Sequence, residues 1–154
     1  PYPNWEADGH IEIVPGATNE FDRVEAAIHE INRVCPVRQL ACDPFNATDL
    51  MQRLSRDGID TVSFAQTYTN LNEPTKLLER LVEAGKIRHN AHPVLRWNVA
   101  NTSVREWQGS IRPVKPESSS AQKVDGTVAL VMALAIANKP AEFVIPADGA
   151  IRWV

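Results

Sequence analysis

The stretch Lys123-Val-Asp-Gly-Thr-Val-Ala-Leu-Val-Met-Ala-Leu134 predicts a helix that is buried on nearly all sides, because residues 128–137 are apolar without interruption. Asp125 lies at the beginning of this helix, close to the expected interior. An unpaired carboxylate is costly there unless a metal ion, a base or hydrogen-bond donors meet it. A helix start signal is the alternative interpretation, because Asp is favoured near a first turn. Asp125 is therefore a candidate site residue that needs support from elsewhere in the sequence.

A second acid, Asp43, follows a predicted strand. Residues 37–42 have the pattern of a short buried strand, and Pro44 ends it because proline has no N–H for a sheet ladder. The acid then lies at the carboxyl end of a strand, where ligands bind in open α/β sheets. Asp-Pro is also a common turn opener. Together, Asp43 and Asp125 form the kind of pair that holds a divalent metal ion such as Mg²⁺ or Mn²⁺.

Strands and helices alternate along the first half of the chain. The patterns predict strands at 10–14, 37–42 and 61–65, and helices at 20–34, 47–56 and 72–84, the last with Pro74 in its first turn. This order implies parallel strands joined by right-handed crossovers. We therefore expect a three-layer α/β domain in which the strands form a central sheet and helices cover both faces.

The second half is less regular. It predicts a short helix at 93–100, a hairpin across Gln108-Gly109, a mobile polar loop at 112–122 before the Asp125 helix, and a strand within 143–154. Trp97 in the short helix is interpreted as a packing residue, with base stacking as the alternative. His89 and His92 do not predict a zinc site, because no cysteine stands at ligand spacing from them.

Length and composition indicate one globular domain. The chain has 154 residues, of which 44% are apolar and 23% charged, enough for a proper core. Cys35 and Cys42 predict free, buried thiols in a reducing compartment rather than a disulfide framework. No signal peptide is visible, and the apolar run at 128–137 is too short to span a bilayer. The first residues, Pro1-Tyr2-Pro3, lack an initiating Met, which indicates a fragment or a processed chain.

Basic residues are concentrated in one segment. Residues 86–115 contain six Lys or Arg and one acid, a charge of +5, while the rest of the chain carries −8. Such a stripe on an acidic body is typical of a surface that binds phosphate, although chance charge on a solvated loop would look the same. The candidates for DNA contact are Lys86, Arg88, His89, Arg112 and Lys115.

Four segments carry a family resemblance. Gly85-Lys-Ile-Arg-His-Asn-Ala-His-Pro-Val-Leu-Arg-Trp-Asn-Val-Ala-Asn101 resembles a signature of the large terminase subunit of tailed phages, with His92 where the family has Asn. Residues 123–134 resemble the family's closing motif, Cys42-Asp-Pro-Phe-Asn-Ala47 its middle motif, and Lys115 with Ser118–Ser120 its Lys/Ser loop. The resemblance spans residues 5–138 in the family's order.

The resemblance implies a ribonuclease-H-like fold with a mixed central sheet flanked by helices. It also implies a metal-dependent endonuclease that cuts concatemeric viral DNA during packaging, in the cytoplasm of a host bacterium. The implied reaction is phosphodiester hydrolysis by two metal ions, which bridging carboxylates would hold. The family places three acids around divalent metal, and Asp43 matches the second and Asp125 the third. The first acid, on an opening strand, and the packaging ATPase domain have no counterpart in this sequence. Residues 1–154 are thus expected to form a single, partial nuclease domain.

The missing first acid and the missing ATPase domain change what this chain is expected to do alone. With two carboxylates in place of three, the isolated chain is expected to bind at most one Mg²⁺ or Mn²⁺ loosely and to cut little DNA. Asp8 is not expected to replace the first acid, because it lies in the sequence Ala-Asp-Gly, which is typical of a turn. The implied partners are double-stranded DNA and, in the full protein, an ATPase domain, the small terminase subunit and the portal, with no membrane.

Two other classes of function are compatible with an α/β domain of this length. One is a non-catalytic α/β docking module of a packaging motor. A nucleotide-binding domain is disfavoured, because no glycine-rich loop follows a predicted strand. The nuclease and the docking module differ in one structural feature, which is whether Asp43 and Asp125 point into the same cleft.

Overall fold

A computed structural model describes residues 1–14, 21–45, 47–116 and 121–138. These residues form six helices and four strands: α1 Tyr2–Ala7, α2 Phe21–Val34, β1 Leu40–Cys42, α3 Thr48–Arg56, β2 Thr61–Ser63, α4 Tyr68–Glu83, α5 Pro93–Ala100, β3 Ser103–Trp107, β4 Ser110–Val114 and α6 Asp125–Ala137. The predicted α/β class is confirmed. The proposed strand at 143–154 and the serines at 118–120 lie outside the described residues.

The strands form two pairs of different direction. β1 and β2 are parallel, with Leu40 opposite Thr61, and β3 and β4 are antiparallel, with Ser103 opposite Val114. Gln108 and Gly109 join β3 to β4 with φ angles of 49° and 76°, the positive values that a tight hairpin turn requires. Both strand directions expected of a mixed sheet are therefore present, divided between two two-stranded sheets within the described residues.

Helices cover both faces of the β1–β2 pair. Leu40 packs on a buried cluster of Leu50, Leu54 and Ile59, which α2 and α3 also line. Its neighbour Ala41 packs on a second cluster, formed by Phe64, Leu71, Val131 and Met132 with α4 and α6. Successive side chains of a strand point to opposite faces, so the two clusters lie on opposite sides of the strands. The predicted three-layer arrangement follows from this packing.

Helix α6 is less enclosed than its sequence predicts. Val131 is completely buried and Met132 nearly so, but Ala129, Ala133 and Ala137 are exposed. The apolar run therefore contains one alanine face that borders solvent, at little cost because a methyl group exposes little apolar area. No described helix is both long and apolar enough to cross a membrane.

One predicted strand is wrong, and one predicted helix begins at a different residue. Residues 10–14 are not a strand: the His10 N–H donates to the Trp5 carbonyl at 2.7 Å and the Ile13 N–H to Glu6 Oε1 at 3.3 Å. The alternating pattern is not enough, because a strand also needs a partner for its ladder. The predicted helix at 72–84 begins earlier, at Tyr68, where the Thr67 side chain accepts from the Asn70 N–H at 3.2 Å. Its proline, residue 74, therefore lies inside the helix.

The predicted loop at 112–122 begins with ordered structure, because β4 continues to Val114. Pro113 is tolerated in this strand, since the ladder alternates and places its nitrogen away from β3. The equivalent N–H of Ile111 also points away from β3 and donates to Asn72 Oδ1 of α4 at 3.0 Å. This bond joins the hairpin to α4, which also packs against α6.

Three aromatic rings join α1 to α5. The Trp97 ring lies 5.9 Å from that of Tyr2 and 5.4 Å from that of Trp5, both in edge-on geometry. Such pairs stabilise packing beyond the area they bury. Trp97 is therefore a packing residue, as predicted. Both cysteines are free, but Cys35, which follows α2, is exposed rather than buried.

Candidate functional site

Asp43 lies directly after β1, at the carboxyl end of a strand as the sequence predicts. Its Oδ1 accepts a hydrogen bond from the Phe45 N–H at 2.9 Å, so one carboxylate oxygen closes the turn that Pro44 begins. Residues 41 and 43 share a face of the strand, the face on which α6 packs. Asp43 is half-buried, and it lines a cavity that residues of α6 also line.

Asp125 is the first residue of α6, and its side chain is exposed. The sequence predicts an acid close to the interior, and the buried residues of α6 begin two positions later, at Thr127. The preceding residue, Val124, has no side-chain acceptor for the first turn. The N–H of Gly126 is instead bonded by Asn98 Oδ1 of α5, at 3.0 Å.

The two acids line one cavity. This cavity has a volume of about 570 Å³, and Asp43 and Asp125 line it together with the basic side chains of Arg105, Arg112 and Lys115. We call it the Asp43–Asp125 cavity. Within the described residues, neither acid forms an ion pair with any of the three cations. The carboxylates and the cations therefore share an open space that is not closed by contacts between them.

Arg112 is held at the edge of this cavity by α4. Its guanidinium carbon lies 4.5 Å from the centre of the Tyr68 ring, and Nη1 donates to the Gln66 carbonyl at 3.2 Å. Its Nε is buried and has no hydrogen-bond partner among the described residues. The cation is thus positioned by the protein while part of its donor capacity is unused.

Arg105 belongs to the site but was not among the predicted DNA contacts. It lies opposite Arg112 in the β3–β4 register, which places the two cations on the same face of the hairpin. The sequence signal was available, because Arg105 is one of the six basic residues of the 86–115 segment. The hairpin register around Gln108-Gly109 would have paired it with Arg112.

The other predicted basic contacts do not line the cavity. Lys86, Arg88 and His89 lie in the segment between α4 and α5. The Nδ1 atom of His89 accepts a hydrogen bond from the Ala91 N–H at 3.0 Å. His92 precedes α5, and its ring lies 5.0 Å from that of His10. The structure therefore separates the basic stripe into a part at the acids and a part away from them.

Among the described residues 1–14, no acid lines the Asp43–Asp125 cavity. Asp8 follows the last residue of α1, and Glu12 forms an ion pair with Arg23. Glu25, His29 and Asp57 lie close enough to one another to share a cation, but Glu25 Oε2 is already 2.9 Å from Arg53 Nη1. These groups lie on the α2–α3 side of the strands.

The family follows from comparison with known proteins. The family model described as "Terminase large subunit, endonuclease domain" matches residues 1–140. The chain belongs to this family. Protein YmfN of Escherichia coli (strain K12) is similar to this terminase nuclease domain, with 31% identity over 134 residues, covering 86% of the chain and 30% of YmfN.

The HK97 phage supplies a relative in sequence and in structure. Its large terminase subunit is 28% identical over 140 residues, covering 90% of the chain and 28% of that protein. The crystal structure of the HK97 large terminase matches with a TM-score of 0.76 at 27% identity, over 88% of the chain and 29% of that structure. This terminase nuclease domain thus has the predicted ribonuclease-H-like fold, and it spans less than a third of the curated relatives that it matches.

Proposed function

We propose that this terminase nuclease domain is a divalent-metal-dependent DNA endonuclease whose site is the Asp43–Asp125 cavity. The observation that carries the proposal is the meeting of two acids, distant in sequence, with three basic side chains in a single cavity. A docking module has no need of unpaired carboxylates beside unpaired cations. In the full protein, the domain would cut viral DNA during packaging, together with an ATPase domain, the small terminase subunit and the portal.

The donor set fits one divalent ion. Carboxylate oxygens are the ligands that Mg²⁺ and Mn²⁺ prefer, and Asp43 retains one oxygen that the Phe45 N–H does not use. Two carboxylates carry the charge that neutralises a single divalent ion, and the cavity is open enough to admit it with its water. Asp43 and Asp125 would hold this ion, loosely because two acids leave most of its ligand positions to water.

The basic side chains would hold the DNA backbone. Arg105, Arg112 and Lys115 can donate to phosphate oxygens, and such contacts position DNA without reading its sequence. Arg112 is suited to this role, because the ring of Tyr68 and the Gln66 carbonyl restrain its guanidinium before DNA arrives. Lys86, Arg88 and His89 would contact the DNA backbone outside the cavity.

Hydrolysis in this site requires water to attack a phosphodiester phosphorus while the bond to one sugar oxygen breaks. A bound Mg²⁺ or Mn²⁺ would polarise the phosphate and lower the pKa of the attacking water. Asp43 and Asp125 would hold the metal ion, and the three basic side chains of the cavity would compensate the charge of the phosphate. The products are a phosphate monoester and a free hydroxyl group on the two new DNA ends.

Mn²⁺ binding and plasmid cleavage test the proposal together. In calorimetry, the wild-type chain should bind one Mn²⁺ weakly, and Asp43→Asn and Asp125→Asn should each abolish the binding. Asp8→Asn is the matched control, since it makes the same chemical change at an exposed acid outside the cavity. The same proteins are then incubated with supercoiled plasmid and Mn²⁺, where we expect slow nicking at most.

The outcomes separate the alternatives. Equal Mn²⁺ binding by wild type and Asp125→Asn would rule out the cavity as the metal site. DNA binding by a wild-type chain that binds no Mn²⁺ would favour the docking module. Rapid cutting that Asp125→Asn abolishes would show that the two acids suffice, against the expectation of a loosely held ion.

A further inference from the structure

Polar side chains at the end of α5 join it to the beginning of α6. Asn98 is only 4% exposed, and both ends of its amide are bonded: Oδ1 accepts from the Gly126 N–H at 3.0 Å, and Nδ2 donates to the Val94 carbonyl at 2.9 Å. Thr102 Oγ1 lies 2.9 Å from Thr127 Oγ1 of α6. Asparagine in a helix interior is unfavourable on propensity, so this buried residue needs a tertiary explanation.

The bond to Gly126 supplies a cap that α6 lacks. The first N–H groups of a helix have no acceptor within the helix, and the apolar side chain of Val124 cannot provide one. Asn98 provides it from a different helix. A Cβ added at Gly126 would lie 3.4 Å from Asn98 Cγ, in van der Waals contact, so the Asn98 side chain packs directly on the first turn of α6.

We propose that Asn98 is a positioning residue for Asp125. The N–H that Asn98 holds belongs to the peptide unit between Asp125 and Gly126, so the bond restricts the ψ angle of Asp125. No side-chain hydrogen bond of Asp125 is present among the described residues, so the backbone, which sets the direction of the Cα–Cβ bond and the accessible rotamers, is what positions its carboxylate. The role in metal binding rests on the proposed function, whereas the restraint on the backbone does not.

The test compares Asn98→Ala with Thr127→Val. Both substitutions remove one buried polar contact from the joint between α5 and α6, but Thr127→Val is isosteric and leaves the Gly126 N–H bonded. Asn98→Ala should weaken Mn²⁺ binding by about 10–100-fold, the usual effect of losing a group that orients a metal ligand. Thr127→Val should lower the urea midpoint and leave the Mn²⁺ dissociation constant unchanged.

Two nuclear magnetic resonance measurements test, in the absence of metal, whether Asn98 restrains the backbone at Asp125. In Asn98→Ala, the Gly126 amide should exchange faster than the amides later in α6, and the Hα–Hβ couplings of Asp125 should move toward rotational averaging. Unchanged couplings would overturn the positioning role, as would equal reductions of Mn²⁺ affinity in the two variants. A wild-type chain that binds no Mn²⁺ would refute the metal site, and the couplings would still decide the role of Asn98.

Discussion

Carboxylates lie close together on both sides of the β1–β2 pair, but only those on one side form ion pairs with a basic side chain among the described residues. On the α2–α3 side, Arg53 Nη1 lies 2.6 Å from Asp22 Oδ1 and 2.9 Å from Glu25 Oε2. Its Nε lies 3.2 Å from Asp49 Oδ2, close enough for an ion pair though not aligned for a hydrogen bond. The hydrogen bond to Asp22 raises the pKa of Arg53. We call these four residues the Arg53 cluster.

On the other side, the Asp43–Asp125 cavity contains acids and cations that do not pair within the described residues. In the Arg53 cluster, three carboxylates share one guanidinium, and these ion pairs join α2 to α3. The cavity leaves charge of both signs for a ligand to neutralise. Proximity of carboxylates is therefore a poor indicator of a metal site. The two regions differ in whether the carboxylates already form ion pairs with a basic side chain of the chain.

Substitution of the core beneath the Arg53 cluster should produce the largest effect. Leu54 is completely buried between α2 and α3, so Leu54→Ala should lower the free energy of unfolding by about 2–5 kcal/mol, measured by urea denaturation. The Mn²⁺ dissociation constant of the folded fraction should not change, because Leu54 does not line the cavity. A weaker Mn²⁺ affinity would show that the two regions are coupled.

Mn²⁺ should stabilise the chain through the cavity alone. At a Mn²⁺ concentration of 100 times the dissociation constant, the free energy of unfolding should rise by about 2.7 kcal/mol. Asp125→Asn should remove this increase, and Asp49→Asn in the Arg53 cluster should retain it. Loss of the increase in Asp49→Asn would mean that the Arg53 cluster also binds metal ions.

The two parts of the basic stripe should differ in the salt dependence of DNA binding. Arg112→Ala with Lys115→Ala should reduce the slope of log affinity against log salt by about two units, one for each DNA phosphate that is no longer neutralised. Lys86→Ala with Arg88→Ala should reduce it less, because these residues lie outside the cavity. Fluorescence anisotropy with a duplex oligonucleotide measures both slopes, and equal reductions would extend the DNA surface beyond the cavity.

The smallest effect concerns the two thiols, one at the end of α2 and one beside Asp43. Burial raises the pKa of the Cys42 thiol, so its reactive thiolate forms at a higher pH than usual. Cys35 is exposed. Iodoacetamide should therefore label Cys35 first, because Cys35 is exposed, and Cys42 labelling should need a higher pH than that of a free thiol. Mass spectrometry of the peptides follows both rates, and faster labelling of Cys42 would contradict the packing of β1.

Features that depend on a local pattern were predictable. The apolar run of α6, the end of β1 at Asp43-Pro44 and the hairpin at Gln108-Gly109 each have a short sequence signal with a direct physical cause. The start of α4 was missed because Pro74 suggested a first turn, while the Thr67 cap seven residues earlier decided the boundary. The strand at 10–14 was wrong because alternation does not supply a ladder partner.

By itself, the sequence determined the α/β class, the two acids and most of the basic side chains, because residue type and short-range periodicity carry that information. Only the tertiary structure decided which of these groups meet. Asn98 bonds Gly126 across 28 residues and Arg53 bonds Asp22 across 31 residues, contacts that arise when helices pack and that no local pattern encodes. Packing likewise brought Arg105 to the acids and left Lys86 away from them, since a charge acts on the groups near it in space.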